Sequence, residues 1–212
     1  MTGPKFPPEF AEQLGTLFAW RRDVRNFQTM PLPDGTMDHL LDRACLAPSV
    51  GNSQPWRFVR VMSAEKRSAI IAHVEAENRK AAAIYGDETR VAYDALKLHG
   101  LREAPEHLAV FCEPDPAAGH GLGRQTMPET PAYSVVMAIH TLWLAARVIG
   151  VGMGWVSIVD PVGMKSMLDV SENWRFVALL CLGYPAGESE TPELVRRHWQ
   201  NRLHADQTRF IR

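Results

Sequence analysis

Three arginines and one aspartate fall within five positions, Arg21, Arg22, Asp23 and Arg25 of the segment RRDVRNF. A guanidinium is a planar fork of N–H donors that matches phosphate oxygens, so a cluster of them suits a phosphate monoester. Each hydrogen bond to such a charged group contributes about 1.5–3 kcal/mol. Asp23 works against that grip. At ~4 Å and an effective dielectric of ~20, a carboxylate and a bound anion repel by about 4 kcal/mol. The competing reading of the segment is a solvated charge cluster.

A second polar cluster follows one short helix later, in PSVGNSQPW, residues 48–56. Ser49, Asn52 and Gln54 supply a hydroxyl and two amides able to read the hydrogen-bonding edge of a ring. Either cluster alone reads as an ordinary loop; the two together point to a ligand with a phosphate and a polar ring. GVGMG, residues 150–154, lacks the setting of a dinucleotide fingerprint, whose glycines follow a strand and open a helix. Here they follow a helix and open a strand, as a helix cap and tight turn do, although glycine also lets a flat ligand approach the backbone. Ser157 has no G-x-S-x-G around it and does not read as a nucleophile. The eight histidines show no metal-ligand spacing, so no metal site is expected.

These residues need elements to hold them. Periodicity and caps predict helices over 8–20, 36–47, 63–84, 87–100, 132–149 and 162–168. Strands are predicted over 57–62, 107–113, 154–160 and 175–185. The expected class is α+β, with helices packed on a mixed or antiparallel sheet of four to five strands. One domain spans 1–212, with a possible lid within 80–131, where residues 114–131 form a long Gly/Pro loop, and a C-terminal arm over 186–212. The apolar helix 132–149 is expected to be buried, and Trp143, Trp155 and Trp174 to lie in the core.

The chain has 212 residues, is 46% hydrophobic, and carries a net charge of −1. That balance excludes a general affinity for nucleic acid or acidic membranes. No apolar run is clean enough to span a membrane. Three scattered cysteines, two of them in apolar runs, read as buried thiols in a reducing cytoplasm.

RRDVRNF, PSVGNSQPW, GVGMGWVSI and WQNR occur in the order typical of the FMN-dependent nitroreductase family, which the chain resembles over nearly its whole length. Where that family commonly has a small hydroxyl residue, this chain has Asp23. With APSVGNSQPW, LKLHGLREAP and LWLAAR, that residue makes the chain similar to the branch that fragments reduced FMN with O2. The products there are 5,6-dimethylbenzimidazole, the lower ligand of cobalamin, and erythrose 4-phosphate. FMN is then the substrate, and NAD(P)H enters only indirectly, through a possible separate flavin reductase.

The resemblance implies that Arg21, Arg22 and Arg25 hold the FMN phosphate and polar ring edge, and that Val24 is an FMN contact. Arg202 is implied as a further phosphate ligand, and Ser49, Asn52, Gln54 and Leu98 as flavin contacts. Asp23 is implied as an acid/base residue in contact with FMN, and Ser157 as a second catalytic contact near the reactive ring nitrogen. It also implies a homodimer with exchanged arms, in which helix 132–149 is a plausible contact. The alternatives are an NAD(P)H-dependent nitroreductase or flavin reductase, and a non-catalytic flavin-binding protein.

Overall fold

The apolar runs EHLAVFC and RFVALLCLG become the two central strands of one sheet. A computed structural model describes residues 3–212. In chain order it contains α1 (Pro8–Trp20), α2 (Thr36–Ala44), β1 (Trp56–Arg60), α3 (Ala64–Ala82), α4 (Asp87–Asp94) and β2 (Glu106–Cys112). There follow α5 (Thr130–Val148), β3 (Gly152–Val156), α6 (Pro161–Leu168), β4 (Arg175–Gly183) and the short α7 (Glu193–Arg196). The strand order is β1-β2-β4-β3, and every pairing is antiparallel. The expected α+β class holds. The sheet has four strands, and no parallel pair of strands occurs among the described residues.

Side-chain alternation builds three layers. Leu108 and Val110 of β2 and Leu180 and Leu182 of β4 face α2 and α5, packing with Leu40, Ile139 and Leu142. Ala109, Phe111, Leu179 and Cys181 face the other way, toward Ile70 and Val74 of α3 and Met164 of α6. Both faces of the central strands are therefore buried, which is why their sequences are apolar throughout rather than alternating.

Local chemistry sets the helix ends. Ser63 Oγ accepts from the Lys66 amide at 3.2 Å and starts α3. Asp160 accepts from the amides of Val162 and Gly163 at the start of α6, with Pro161 at its first position. α2 stops at Ala44, three residues short of the expected end, and 95–100 is not helical. β3 begins at Gly152, two residues early, and ends at Val156.

The helix expected to be buried, α5, is instead two-sided. Val135, Ile139 and Leu142 are enclosed, whereas Tyr133, Val136 and Met137 are exposed. Trp143, Trp155 and Trp174 are half-buried against the core rather than inside it. Cys112 and Cys181 are buried, but Cys45 is exposed. No helix among the described residues is long and apolar enough to cross a membrane.

His107 is the buried polar residue of β2. Its Nε2 donates to the Leu101 carbonyl at 2.8 Å, and Nδ1 has no partner among the described residues. Burial, then the nearby Arg67 charge, lowers its pKa to about 4. Between pH ~6.5 and ~4 the unfolded chain takes up a proton that the native ring refuses, so stability is full above pH ~6.5 and falls on acidification. Urea unfolding should show a loss of about 2 kcal/mol between pH 7 and pH 5 from this residue. His107→Gln should remove that slope; an unchanged slope would assign the acid sensitivity elsewhere.

Candidate active site

Arg21 ends α1, its amide still donating to Leu17 O at 2.9 Å. The chain then runs along the outer edge of β3. Asp23 bridges Met153 in parallel, and the Val24 amide donates to Met153 O at 3.0 Å. The amides of Gln28 and Ala186 secure the next residues, donating to Tyr184 O at 2.8 Å and Asn26 O at 2.9 Å.

The glycines of GVGMG make this approach possible. Gly150, at φ +75°, closes α5 in a Schellman arrangement: its amide donates to Arg147 O, and that of Val151 to Ala146 O. A Cβ on Gly152 would meet Val24 Cγ2 at 2.8 Å, and one on Gly154 would overlap the Val24 carbonyl oxygen. These two glycines are thus filled by the arginine segment itself rather than left open to a flat ligand.

Asp23 is held by both oxygens. Oδ1 accepts from the Trp155 backbone amide at 2.8 Å, and Oδ2 accepts from Arg25 Nε at 2.8 Å. The Trp155 amide belongs to an edge strand and has no strand neighbour on that side, so the carboxylate satisfies a donor that sequence periodicity does not reveal. Arg25 also donates to Lys97 O at 3.2 Å. Leu98 comes with that segment and shares a crease with Asp23, Arg25, Trp155 and Cys181. The Asp23 side chain remains 30% exposed, against 15% for Arg25, so it can still touch a bound molecule.

The remaining arginines form an anion-seeking wall. Arg21 lies over the Trp143 ring at 4.8 Å, a cation–π contact, and makes no ion pair among the described residues. Arg22 is held by carbonyls, including Glu190 O at 2.6 Å. Burial, then the charges of Arg21 and Arg202, lowers the Arg22 pKa, with Glu190 opposing. Arg21, Arg22, Asp23, Arg25 and Arg202 line one pocket. An adjoining pocket adds Trp143, Arg147, Glu188 and Arg196. The sequence offered little sign of the last three; their charges look like ordinary surface groups until the arm folds back.

Ser49, Asn52 and Gln54 do not line either arginine pocket of the same chain. Their loop is internally braced: Ser49 Oγ accepts from the Gln54 amide at 3.1 Å, and the Val50 amide donates to Ser134 Oγ at 3.0 Å. Arg57 donates to Gln54 O at 3.2 Å. Gly51, Asn52 and Gln54 all have positive φ, between 48° and 58°. For Asn and Gln that is strain of about 1–3 kcal/mol each, the kind found where a loop presents itself to a ligand. Residues 119–123 pack on Gly51. Ser157 is exposed just beyond the end of β3.

This pocket suits an anion such as a phosphate, since the guanidiniums of Arg21, Arg22 and Arg202 repel one another there. The model of the nitroreductase family matches residues 18–184. The chain belongs to the nitroreductase family. Among nitroreductase-family relatives, the 5,6-dimethylbenzimidazole synthase of Rhodospirillum rubrum is 56% identical over 201 residues, covering 95% of each chain. The synthase of the same name from Rhodobacter capsulatus is 45% identical, over 93% of this chain and 96% of its own. In structure, this nitroreductase-family chain superposes on oxidized iodotyrosine deiodinase bound to FMN and 3-iodo-L-tyrosine with a TM-score of 0.73. That match has 24% identity over 91% of this chain and 97% of the other, and it speaks to the fold.

Proposed function

We propose that this chain consumes reduced FMN and O2 and forms 5,6-dimethylbenzimidazole, with erythrose 4-phosphate as the sugar-phosphate product. The likeness to the two synthases supplies the reaction. The structural observation that carries the reading is the Asp23 carboxylate, standing inside an arginine cradle yet still exposed to the pocket.

Bound reduced FMN supplies the electrons for O2 and the ring atoms of the product. The residues of this chain supply the grip and the proton traffic. Arg21, Arg22, Arg25 and Arg202 hold the phosphate and ring edge, and Val24 and Leu98 flank the ring. Each Asp23 oxygen accepts one N–H and keeps a second lone pair, so the carboxylate can take a proton without giving up either bond. The Trp155 amide is fixed in β3, and Arg25 is held in place by a further bond from its Nη1 to Lys97 O. The two donors keep the carboxylate aimed while it exchanges protons with the bound molecule. Ser157 offers a hydroxyl beside the ring at the open end of β3. Residues 119–123 pack on Gly51, so the segment 114–131, the candidate lid, travels with the loop of Ser49, Asn52 and Gln54.

The active unit is a homodimer. Helix α1 buries none of its residues, although Phe10, Phe18 and Trp20 line it, and α5 turns Tyr133, Val136 and Met137 outward. A second copy covers these surfaces and brings its own Ser49, Asn52 and Gln54 to the arginine pocket. Sedimentation should give twice the chain mass, and Met137→Glu should shift the protein toward monomer with loss of flavin binding. A monomeric wild type that binds flavin would refute the shared site.

The reaction is tested by supplying reduced FMN and air and assaying both products. Flavin that is merely reoxidised would favour the reading in which NAD(P)H reduces a flavin that survives. Reduction is assigned to a separate flavin reductase, so NADH alone with oxidised FMN should yield no product.

A further inference from the structure

Arg202 sits in a peculiar position for a ligand-holding residue. From residue 196 to the C-terminus every residue is exposed except Trp199. The 3-10 turn at Ala205–Thr208 is held only by its own local bonds, such as Thr208 Oγ1 to Ala205 O at 3.0 Å. Yet Arg202 faces Arg21 and Arg22 across one pocket. Like charges push such an arm away until an anion arrives. Something else must keep it in place.

Trp199 is the one available anchor. Its ring packs edge-on against Tyr85, with centroids 5.7 Å apart, and against Tyr93 at 6.1 Å. The two tyrosines lie 4.8 Å from each other. Tyr93 is only 5% exposed, and its hydroxyl donates to Asn78 Oδ1 at 2.6 Å, which fixes the receiving surface to α3. The chain turns sharply into this seat. His198 has φ +56°, and the Trp199 amide donates to Leu194 O at 2.9 Å. Three residues reach about 10 Å at most, so the seat of Trp199 bounds where Arg202 can go.

We propose that Trp199 is a positioning residue for the phosphate end of the site: seated against the Tyr85–Tyr93 pair, it holds Arg202 against Arg21 and Arg22. The proposal rests on the reading of Arg202 as a phosphate ligand. It separates two tasks along one arm, anchoring by an aromatic ring and recognition by a guanidinium three residues later. It also makes phosphate recognition depend on α4, which touches no part of the arginine pocket.

The test compares oxidised FMN with oxidised riboflavin, which lacks the phosphate, by quenching of flavin fluorescence. Arg202→Ala should lower the preference for FMN about tenfold and leave riboflavin affinity unchanged. Trp199→Ala should do the same, Trp199→Phe should restore most of the preference, and the double variant should be no worse than Arg202→Ala alone. Loss of affinity for both flavins alike in Trp199→Ala would overturn the proposal, as a general structural defect. So would a full FMN preference in Trp199→Ala beside a lost one in Arg202→Ala. Full preference in Arg202→Ala would overturn the phosphate reading of that residue, and the proposal with it.

Discussion

Asp23→Asn should lower dimethylbenzimidazole formation by about 10²–10⁴-fold, the range expected for loss of a positioned acid/base. The variant should still bind FMN, because the arginines remain. Its amide cannot reproduce both contacts, however. One end of the carboxamide is an NH2, and both neighbours, Arg25 Nε and the Trp155 amide, are donors. The variant side chain would therefore lose one of the two bonds, at about 1–3 kcal/mol. Asp23→Ser, which places there the hydroxyl more common in the family this chain resembles, should bind FMN at least as well and lose product formation to a similar extent. Flavin titration and product assay on the same preparations separate grip from chemistry. Normal product formation in either variant would remove Asp23 from the mechanism.

Gly154→Ala should be at least as damaging, for a different reason. Its Cβ would overlap a backbone oxygen, that of Val24, not the far end of a mobile side chain. Either β3 or the arginine segment must move, at about 1–3 kcal/mol for overpacking and more where backbone is displaced. The Asp23–Trp155 contact is adjacent and should break with it. Urea unfolding should show the loss, and FMN affinity should fall. Gly150→Ala is the control: its Cβ would meet nothing within 4 Å, but φ is +75°. It should cost about 1–2 kcal/mol through the left-handed backbone alone and spare FMN binding. Equal effects at the two glycines would contradict the packing explanation.

Much of the fold is legible in the sequence because burial writes itself into residue type. β2 and β4 are apolar on both faces because they are covered on both faces. Helix α1 is legible from its spacing, and the structure places its 8–20 span as expected. The end of α2 and the stretch 95–100 are less so, since apolar residues continue past the last helical turn. The start of β3 is hidden by Gly152, a poor strand former on intrinsic preference, tolerated here because Val24 occupies the space where its side chain would be. At the site, the arginines and Asp23 announce themselves by type. What they bind to within the chain does not. The donor that orients Asp23 is a backbone amide, and Trp199 matters through rings about a hundred positions away. The separation of Ser49, Asn52 and Gln54 from the arginine pocket is likewise invisible to spacing along one chain.

The segment proposed to hold the phosphate also lies along β3, an edge strand of the sheet. An uncovered edge strand offers its amides and carbonyls as a template for any passing chain. Here the Val24 amide and the Asp23 carboxylate occupy Met153 O and the Trp155 amide, so the binding segment shields the protein from intermolecular strand addition. Residues 21–25 thereby do two jobs at once. A substitution that loosens this segment would expose a naked edge, and insoluble protein would appear alongside the lost activity.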